Sequence, residues 1–252
     1  MASIQESGRS PERLLEGKVV VITGGSRGIG AAAALEFARQ GANLVISSTP
    51  KSENSALQVV QEIESIGRQA LWVPGDINDP ATGERIIQRT VEKFGRIDVL
   101  VNNVGTKADA LFVKMTPEQW ENVIKTNLIA PFYVTQAAVK LMMRQRSGSI
   151  IFISSPASTN AYIGQSNYSA SKGGIDILAE TLSKELERFN VTVNVVAPGL
   201  VETDLTKDLP DKKINAILAD SPTGKLASME NVTAAIVEMA KSDRTGQRVE
   251  IW

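Results

Sequence analysis

Lys18-Val19-Val20-Val21-Ile22-Thr23-Gly24-Gly25-Ser26-Arg27-Gly28-Ile29-Gly30, running on into Ala31-Ala32-Ala33-Ala34-Leu35-Glu36-Phe37-Ala38, is the stretch whose reading decides the fold. Its β-branched run is continuous rather than alternating, the pattern of a strand buried on both faces of a parallel sheet. The alanine-led run is a helix former. Between them the glycines stand at 24, 28 and 30, in a T-G-x-x-x-G-x-G spacing rather than G-x-G-x-x-G. Small residues in such a turn let backbone amides approach a pyrophosphate, and the helix N-terminus favours its charge. The stretch therefore predicts a dinucleotide-phosphate site; the plain alternative is an ordinary strand-to-helix turn.

Downstream, the same unit repeats. Gly41 stops the first helix and Asn43-Leu44-Val45-Ile46-Ser47 reads as a second strand. An Asp or Glu at the end of that strand would bind a ribose 2′-hydroxyl and repel a 2′-phosphate. The residues are instead Ser47-Ser48-Thr49-Pro50-Lys51, with hydroxyls and no carboxylate, and Arg27 and Lys51 supply positive charge. This pattern predicts a preference for NADP(H) over NAD(H); a polar loop without that role is the alternative. A helix over 57–66 capped by Gly67 and a strand over 69–73 follow, and Asp76 stands where a carboxylate can accept from an adenine amino group. Asp79-Pro80 reads as a helix N-cap and first position. A strand over 97–101 then leads into Asn102-Asn103-Val104-Gly105.

Thr116-Pro117-Glu118-Gln119 is a capping box that opens a long amphipathic helix towards Met143. Pro131 inside it has no amide to give the Asn127 carbonyl, so a kink is expected there, leaving that carbonyl free to hold water or a side chain. Two separate helices with Asn127 as a cap are the alternative. Strands over 149–154 and 191–196 follow, the second closed by Pro198-Gly199. Residues 200–226 are charged and broken by Pro210 and Pro222, long enough for a lid over a substrate. A helix over 231–241 and a strand over 248–251 finish the chain. The alternation predicts a single-domain α/β fold over 17–252, a Rossmann-like doubly wound parallel sheet of seven strands with helices on both faces. The polar residues 1–16 are expected to form a flexible tail.

Composition narrows the chemistry. The 252 residues contain no Cys and no His, and 27 Lys and Arg balance 28 Asp and Glu. Thiolate and His-based nucleophiles and the usual zinc sites are thereby excluded, no metal site is expected, and acid/base work falls to Tyr, Lys, Asp or Glu. Near-zero net charge gives no sign of nucleic-acid binding, and no apolar run approaches a membrane span or a signal peptide, so a soluble cytoplasmic protein is expected. Tyr168-Ser169-Ala170-Ser171-Lys172 then stands out, because i and i+4 side chains share a helix face. A phenol with an ordinary pKa of about 10 becomes a usable acid or base when a fixed cation favours its ionised form. An exposed tyrosine and a solvated lysine are the bland reading of the same pair. Ser155, at the end of its strand, has no His partner to make it a nucleophile, but its hydroxyl can donate to a carbonyl oxygen. Gly173 and Gly174 inside the helical pattern predict a close approach by another backbone or by the cofactor.

Taken together, T-G-G-S-R-G-I-G at 23–30, Asp76, N-N-V-G at 102–105, Asn127, Ser155, Y-S-A-S-K at 168–172 and P-G at 198–199 resemble the short-chain dehydrogenase/reductase family. V-N-V-V-A-P-G-L-V-E-T-D at 193–204 is most similar to its 3-oxoacyl-[acyl-carrier-protein] reductase branch. The resemblance implies that Tyr168 donates a proton to a carbonyl oxygen and that Ser155 hydrogen-bonds the same oxygen. It further implies that Lys172 lowers the tyrosine pKa and holds the nicotinamide ribose, while Asn127 anchors a water relaying protons to it. Cofactor contacts are implied for Gly24, Ser26, Arg27, Gly28, Ile29 and Gly30 in the turn, and for Ser47, Ser48 and Thr49 after the second strand. Asp76, Ile77, Asn103, Val104 and Gly105 follow, then Tyr168, Lys172, Pro198, Gly199, Val201 and Thr203 near the carboxamide. The sequence departs from the family in Val104, which stands for the usual alanine, and in lacking D-G-G after Thr245-Gly246-Gln247. The expected function is NADPH-dependent reduction of a 3-oxoacyl thioester on an acyl carrier protein, in a dimer or tetramer built through the helices carrying Asn127 and Tyr168 and the last strand. Arg144, Arg146 and Arg188 are either a carrier-protein patch or three solvated arginines. The alternatives are a reductase for another ketone or alcohol, and a non-catalytic NADP-binding subunit.

Overall fold

The structure, a computed structural model, describes residues 15–204, 206 and 209–252. Residues 1–14 of the expected tail and 205, 207 and 208 of the expected lid lie outside the described residues. Seven strands form one sheet: β1 (Val19–Thr23), β2 (Asn43–Ser48), β3 (Ala70–Pro74), β4 (Val99–Asn102), β5 (Gly148–Ile153), β6 (Val191–Pro198) and β7 (Arg248–Ile251). Their order is β3-β2-β1-β4-β5-β6-β7 and every pairing is parallel. The expected doubly wound sheet is therefore present. Chain order reverses between β1 and β4, and a crevice opens at the carboxyl ends of strands at such a switch point.

The continuous apolar run of β1 reflects burial on both faces, since every residue from Val19 to Thr23 is buried. Val20 and Ile22 join the core beneath α1 (Gly28–Arg39), α2 (Glu53–Ser65) and α8 (Met229–Lys241), while Val21 joins the core on the opposite face. That second core takes its helices from α3 (Pro80–Phe94), α5 (Ala130–Gln145) and α6 (Ser166–Leu186). Side chains that alternate along a strand in this way need an apolar partner on each face, which the two helix layers provide. No helix among the described residues is long and apolar enough to cross a membrane.

Local signals hold where they are made by backbone chemistry. Asp79 caps α3 by accepting from the Ala81 amide at 3.1 Å, with Pro80 in first position. Thr116 and Gln119 make both hydrogen bonds of the capping box at the start of α4 (Pro117–Ile124). The helix expected to run from there to Met143 is interrupted in another way. Lys125–Ile129 form a π-turn between α4 and α5, in which the Ala130 amide reaches back five residues to the Lys125 carbonyl. The amide missing at Pro131 thus falls next to where the ladder widens by one residue, and a π-bulge takes the place of a simple kink. α2 starts at Glu53, before the expected 57, and its opening Glu53-Asn54-Ser55 has no apolar periodicity to announce that start. The expected lid contains a helix, α7 (Asp211–Ala219).

Candidate active site

At the carboxyl end of β1 the chain turns sharply. Gly24 has φ +69° and Gly28 φ +55°, a region that costs glycine little and other residues much. A Cβ on Gly30 would stand 2.3 Å from the Gly24 carbonyl oxygen and 2.6 Å from Asn103 Nδ2, so the helix can follow the turn this closely only with glycine. Asn103, after β4, clasps the same turn by donating to the carbonyls of Thr23 at 2.9 Å and Gly24 at 3.2 Å. Among the described residues no side chain caps the amides that open α1. Uncapped amides at a helix N-terminus, facing a cleft, are suited to an anionic phosphate. Gly30→Ala is expected to destabilise the fold by about 1–3 kcal/mol and to weaken dinucleotide binding by more than about tenfold. Thermal unfolding and a fluorescence titration with NADPH check this, and wild-type affinity in the variant would contradict it.

The turn forms one end of a cleft of about 510 Å³. Gly24, Ser26, Arg27, Gly28 and Ile29 line it, and Gly30 does not, acting instead through the close packing just described. Ser47, Ser48 and Thr49 line it beyond β2, with no carboxylate among them. Ser48 is fixed by the Trp72 indole, which donates to its hydroxyl at 3.0 Å. Gly75 and Ile77 are in the wall, but Asp76 between them is not: it is exposed, and its carboxylate accepts from the Asn78 amide at 3.0 Å. Lys51 is also outside the lining, which leaves Arg27 as the guanidinium at this end. Arg27 pairs with Asp204 of the lid segment at 3.6 Å. Val104 lines the cleft beside the turn, as do Asn103 and Gly105.

At the other end, β5 and α6 deliver the reactive groups. Ser155, Tyr168 and Lys172 all line the cleft, as do Pro198, Gly199, Val201 and Thr203, the last beside Gly28 of the turn. Ser155 Oγ accepts from the Ala157 amide at 3.2 Å, so its own proton is left to donate. The same hydroxyl acts on the Tyr168 phenol beside it. Burial pushes the Tyr168 phenol up to about 12, opposed by the Ser155 hydrogen bond and reinforced by the Asp109 charge. Burial also pulls Lys172 down to about 8, against the pull of Asp176. Lys172 is 4% exposed and donates to the Ile153 carbonyl at 2.7 Å, with its ammonium 5.8 Å from the Tyr168 ring centre. In the protein alone, then, desolvation outweighs the cation: the tyrosine is a firmly held proton, and the lysine is the group that titrates near neutral pH.

Asn127 does not line the cleft. Its buried side chain accepts from the Thr106 amide at 2.8 Å and donates to the Thr106 carbonyl at 2.9 Å and to Ser171 Oγ at 3.0 Å, tying the π-turn to the loop after β4 and to α6. Asn167, fully buried and missed by sequence reasoning, does similar work by donating to the carbonyls of Ala108 at 3.0 Å and Gln119 at 3.2 Å. Gly174 accommodates the Leu128 side chain, whose Cδ2 would lie 2.9 Å from an added Cβ. At Gly174 the expected approach of backbone or cofactor is thus replaced by side-chain packing, whereas at Gly173 the nearest atom is a backbone one, the Ser158 carbonyl oxygen, at an ordinary 3.6 Å from an added Cβ. Unforeseen wall residues include Ser154, Gln165, Tyr162 and Trp252, the last packed so near Gly199 that an added Cβ would meet its ring at 2.7 Å. Among the described residues the buried Ser154 hydroxyl in the wall has no hydrogen-bond partner, which leaves a polar group for a ligand to satisfy. Glycine cradle, uncapped amides and orphaned hydroxyl together fit a dinucleotide with its phosphates at α1 and its reactive end towards Tyr168.

Comparison with known proteins agrees with this geometry. Residues 18–214 match the short chain dehydrogenase family. The chain is 38% identical over 247 residues to the 3-oxoacyl-[acyl-carrier-protein] reductase of Thermotoga maritima, covering 94% of this chain and 97% of that one. It is 36% identical over 239 residues to the enzyme of the same name from Escherichia coli, covering 94% and 96%. Among solved structures, a dehydrogenase/reductase from Sinorhizobium meliloti 1021 superposes with a TM-score of 0.88 at 32% identity, over 95% of each chain.

Proposed function

The chain belongs to the short-chain dehydrogenase family and is an oxidoreductase, and from that premise we propose that it is a cytoplasmic NADPH-dependent reductase of 3-oxoacyl thioesters carried on acyl carrier protein. The observation that carries the reaction class is the meeting of Ser155, Tyr168 and Lys172 at one end of a cleft whose other end is the glycine turn. The substrate class is supported by the names of the two bacterial relatives, which align along nearly their whole length.

A nicotinamide held in the cleft would supply the hydride for the carbonyl carbon. The remaining work falls to side chains. Ser155, its lone pair engaged by Ala157, donates to the carbonyl oxygen and orients it. Tyr168, kept protonated by burial, gives its proton to that oxygen as negative charge develops there. Lys172, anchored to Ile153, stabilises the phenolate left behind. Because burial pulls Lys172 down to about 8, the rate of reduction is expected to fall as pH rises through that value and the lysine loses its charge, which a pH-rate profile checks. Asn127 keeps the loop after β4 and α6 in register around them.

The absence of a carboxylate after β2 and the presence of Arg27 support NADPH over NADH. Arg27→Ala is expected to weaken NADPH binding about tenfold or more while leaving NADH within about twofold; equal losses for both would contradict the assignment. Ile129, Phe132 and Ile177 are exposed at 40%, 46% and 64% around the helices that carry Asn127 and Tyr168, which supports assembly there. Light scattering is expected to give a dimer or tetramer of the 27.1 kDa chain, and a monomer mass at micromolar concentration would contradict it. The reaction itself is tested by NADPH oxidation with acetoacetyl thioesters beside a panel of simple ketones. Thioester reduction is expected to dominate, and reduction of ketones without thioester would overturn the substrate class.

A further inference from the structure

Side chains alternate along a strand, so Arg248, Glu250 and Trp252 share one face at the β7 edge of the sheet. Arg248 uses this position to reach behind the reactive groups. Its Nε donates to Asp176 Oδ2 at 2.8 Å, its Nη1 to Glu250 Oε1 at 2.7 Å, and its Nη2 to Ser158 Oγ at 3.0 Å and the Ser155 carbonyl at 3.4 Å. The Ser155 carbonyl also receives the Ser158 amide at 3.0 Å and the Ser158 hydroxyl at 2.9 Å. The turn that aims the Ser155 hydroxyl is therefore pinned from the far side by one guanidinium. Asp176 lies one helical turn beyond Lys172 on α6, with its second oxygen, Oδ1, buried and without a hydrogen-bond partner among the described residues. Arg248 is thus the cation on which that carboxylate depends.

We infer that Arg248 is a positioning residue for the proposed reduction: it braces the turn that presents Ser155 and balances the Asp176 carboxylate beside Lys172. The inference rests on the reading of the site given above. Among the described residues, the charged and titratable groups linked to Lys172 are Tyr168 and Asp176 on its own helix, Asp109 acting on Tyr168 from the loop after β4, and Arg248 with Glu250 from β7. Removing the guanidinium leaves Asp176 unbalanced, which favours the charged form of Lys172 and raises its midpoint. Removing the carboxylate does the reverse. A lysine at 248 keeps the charge but lacks the fork that joins Asp176 to Ser158.

The test is the midpoint of Lys172, followed by NMR of ε-labelled lysine in the protein alone, together with the pH profile of thioester reduction at saturating NADPH. Arg248→Met is expected to move the midpoint and the alkaline limb up by about half to one pH unit and to lower turnover about tenfold. Asp176→Asn is expected to move both down by a similar amount. Arg248→Lys is expected to hold the wild-type midpoint while turnover remains several-fold low. Midpoints unmoved in Arg248→Met and Asp176→Asn would overturn the inference, and Asp176→Asn decides alone if Arg248→Met does not fold. A wild-type protein inert towards every ketone would overturn the reaction instead, and the NMR midpoints would still decide the role of Arg248.

Discussion

Tyr168→Phe is expected to lower the rate of carbonyl reduction by about 10²–10⁴-fold and to change NADPH affinity by less than about twofold. The substitution removes one oxygen and nothing else. The ring that packs in the wall remains, as does the Lys172 contact with the Ile153 carbonyl, so the cleft keeps its shape. What disappears is the held proton, and with it the partner of the Ser155 hydroxyl. Ser155 alone can polarise a carbonyl, which sets the residual rate. Stopped-flow reduction and equilibrium NADPH titration separate the two effects. Turnover within a few-fold of wild type would mean that another group supplies the proton.

Lys172→Met is expected to abolish most turnover and, unlike most active-site losses, to stabilise the fold at neutral pH. Burial holds the folded-state lysine at about 8, below its ordinary value of about 10.4 in an unfolded chain. Between those values the unfolded chain binds the proton better, so the wild-type fold is penalised by roughly 3 kcal/mol below pH 8 and regains that stability as pH rises towards 10.4. Methionine removes the penalty but leaves the Ile153 carbonyl without its donor, at a cost of about 1–3 kcal/mol. The variant should therefore look better against wild type at pH 7 than at pH 10, by roughly 2 kcal/mol. Chemical denaturation at the two pH values measures this directly. A difference that does not change with pH would show that Lys172 is not held below its ordinary range. The same burial that makes the site unstable makes the lysine responsive near neutral pH, a trade of stability for chemistry.

The fold was legible because its signals are local. A β-branched run, a glycine turn and an alanine-led helix depend on neighbours in sequence, and the structure returns β1, the turn and α1 in that order. Ser155, Tyr168 and Lys172 were legible because strand ends and i,i+4 helix spacing bring them to one cleft. What escaped depends on long-range geometry. Asn194 sits fully buried in β6, where its side chain donates to the Arg244 carbonyl and accepts from the Gln247 amide, and nothing near it in sequence announces this. Asn167 beside the reactive tyrosine is similar. The sequence places Asp76 at a strand end but does not announce the direction of its carboxylate, which accepts from the Asn78 amide two residues on, as a short acidic side chain in a turn readily does. The direction of the Tyr168 shift also eluded the sequence, because a lysine one turn away is visible there and the sum of burial around a phenol is not.

Transfer of deuterium from reductant to product tests the central claim most directly. With NADPH deuterated at its transferable position and a 3-oxoacyl thioester as substrate, the protein is expected to form a 3-hydroxyacyl thioester carrying deuterium on the carbinol carbon, and Tyr168→Phe almost none. Bound NADPH with no label reaching that carbon would contradict the account.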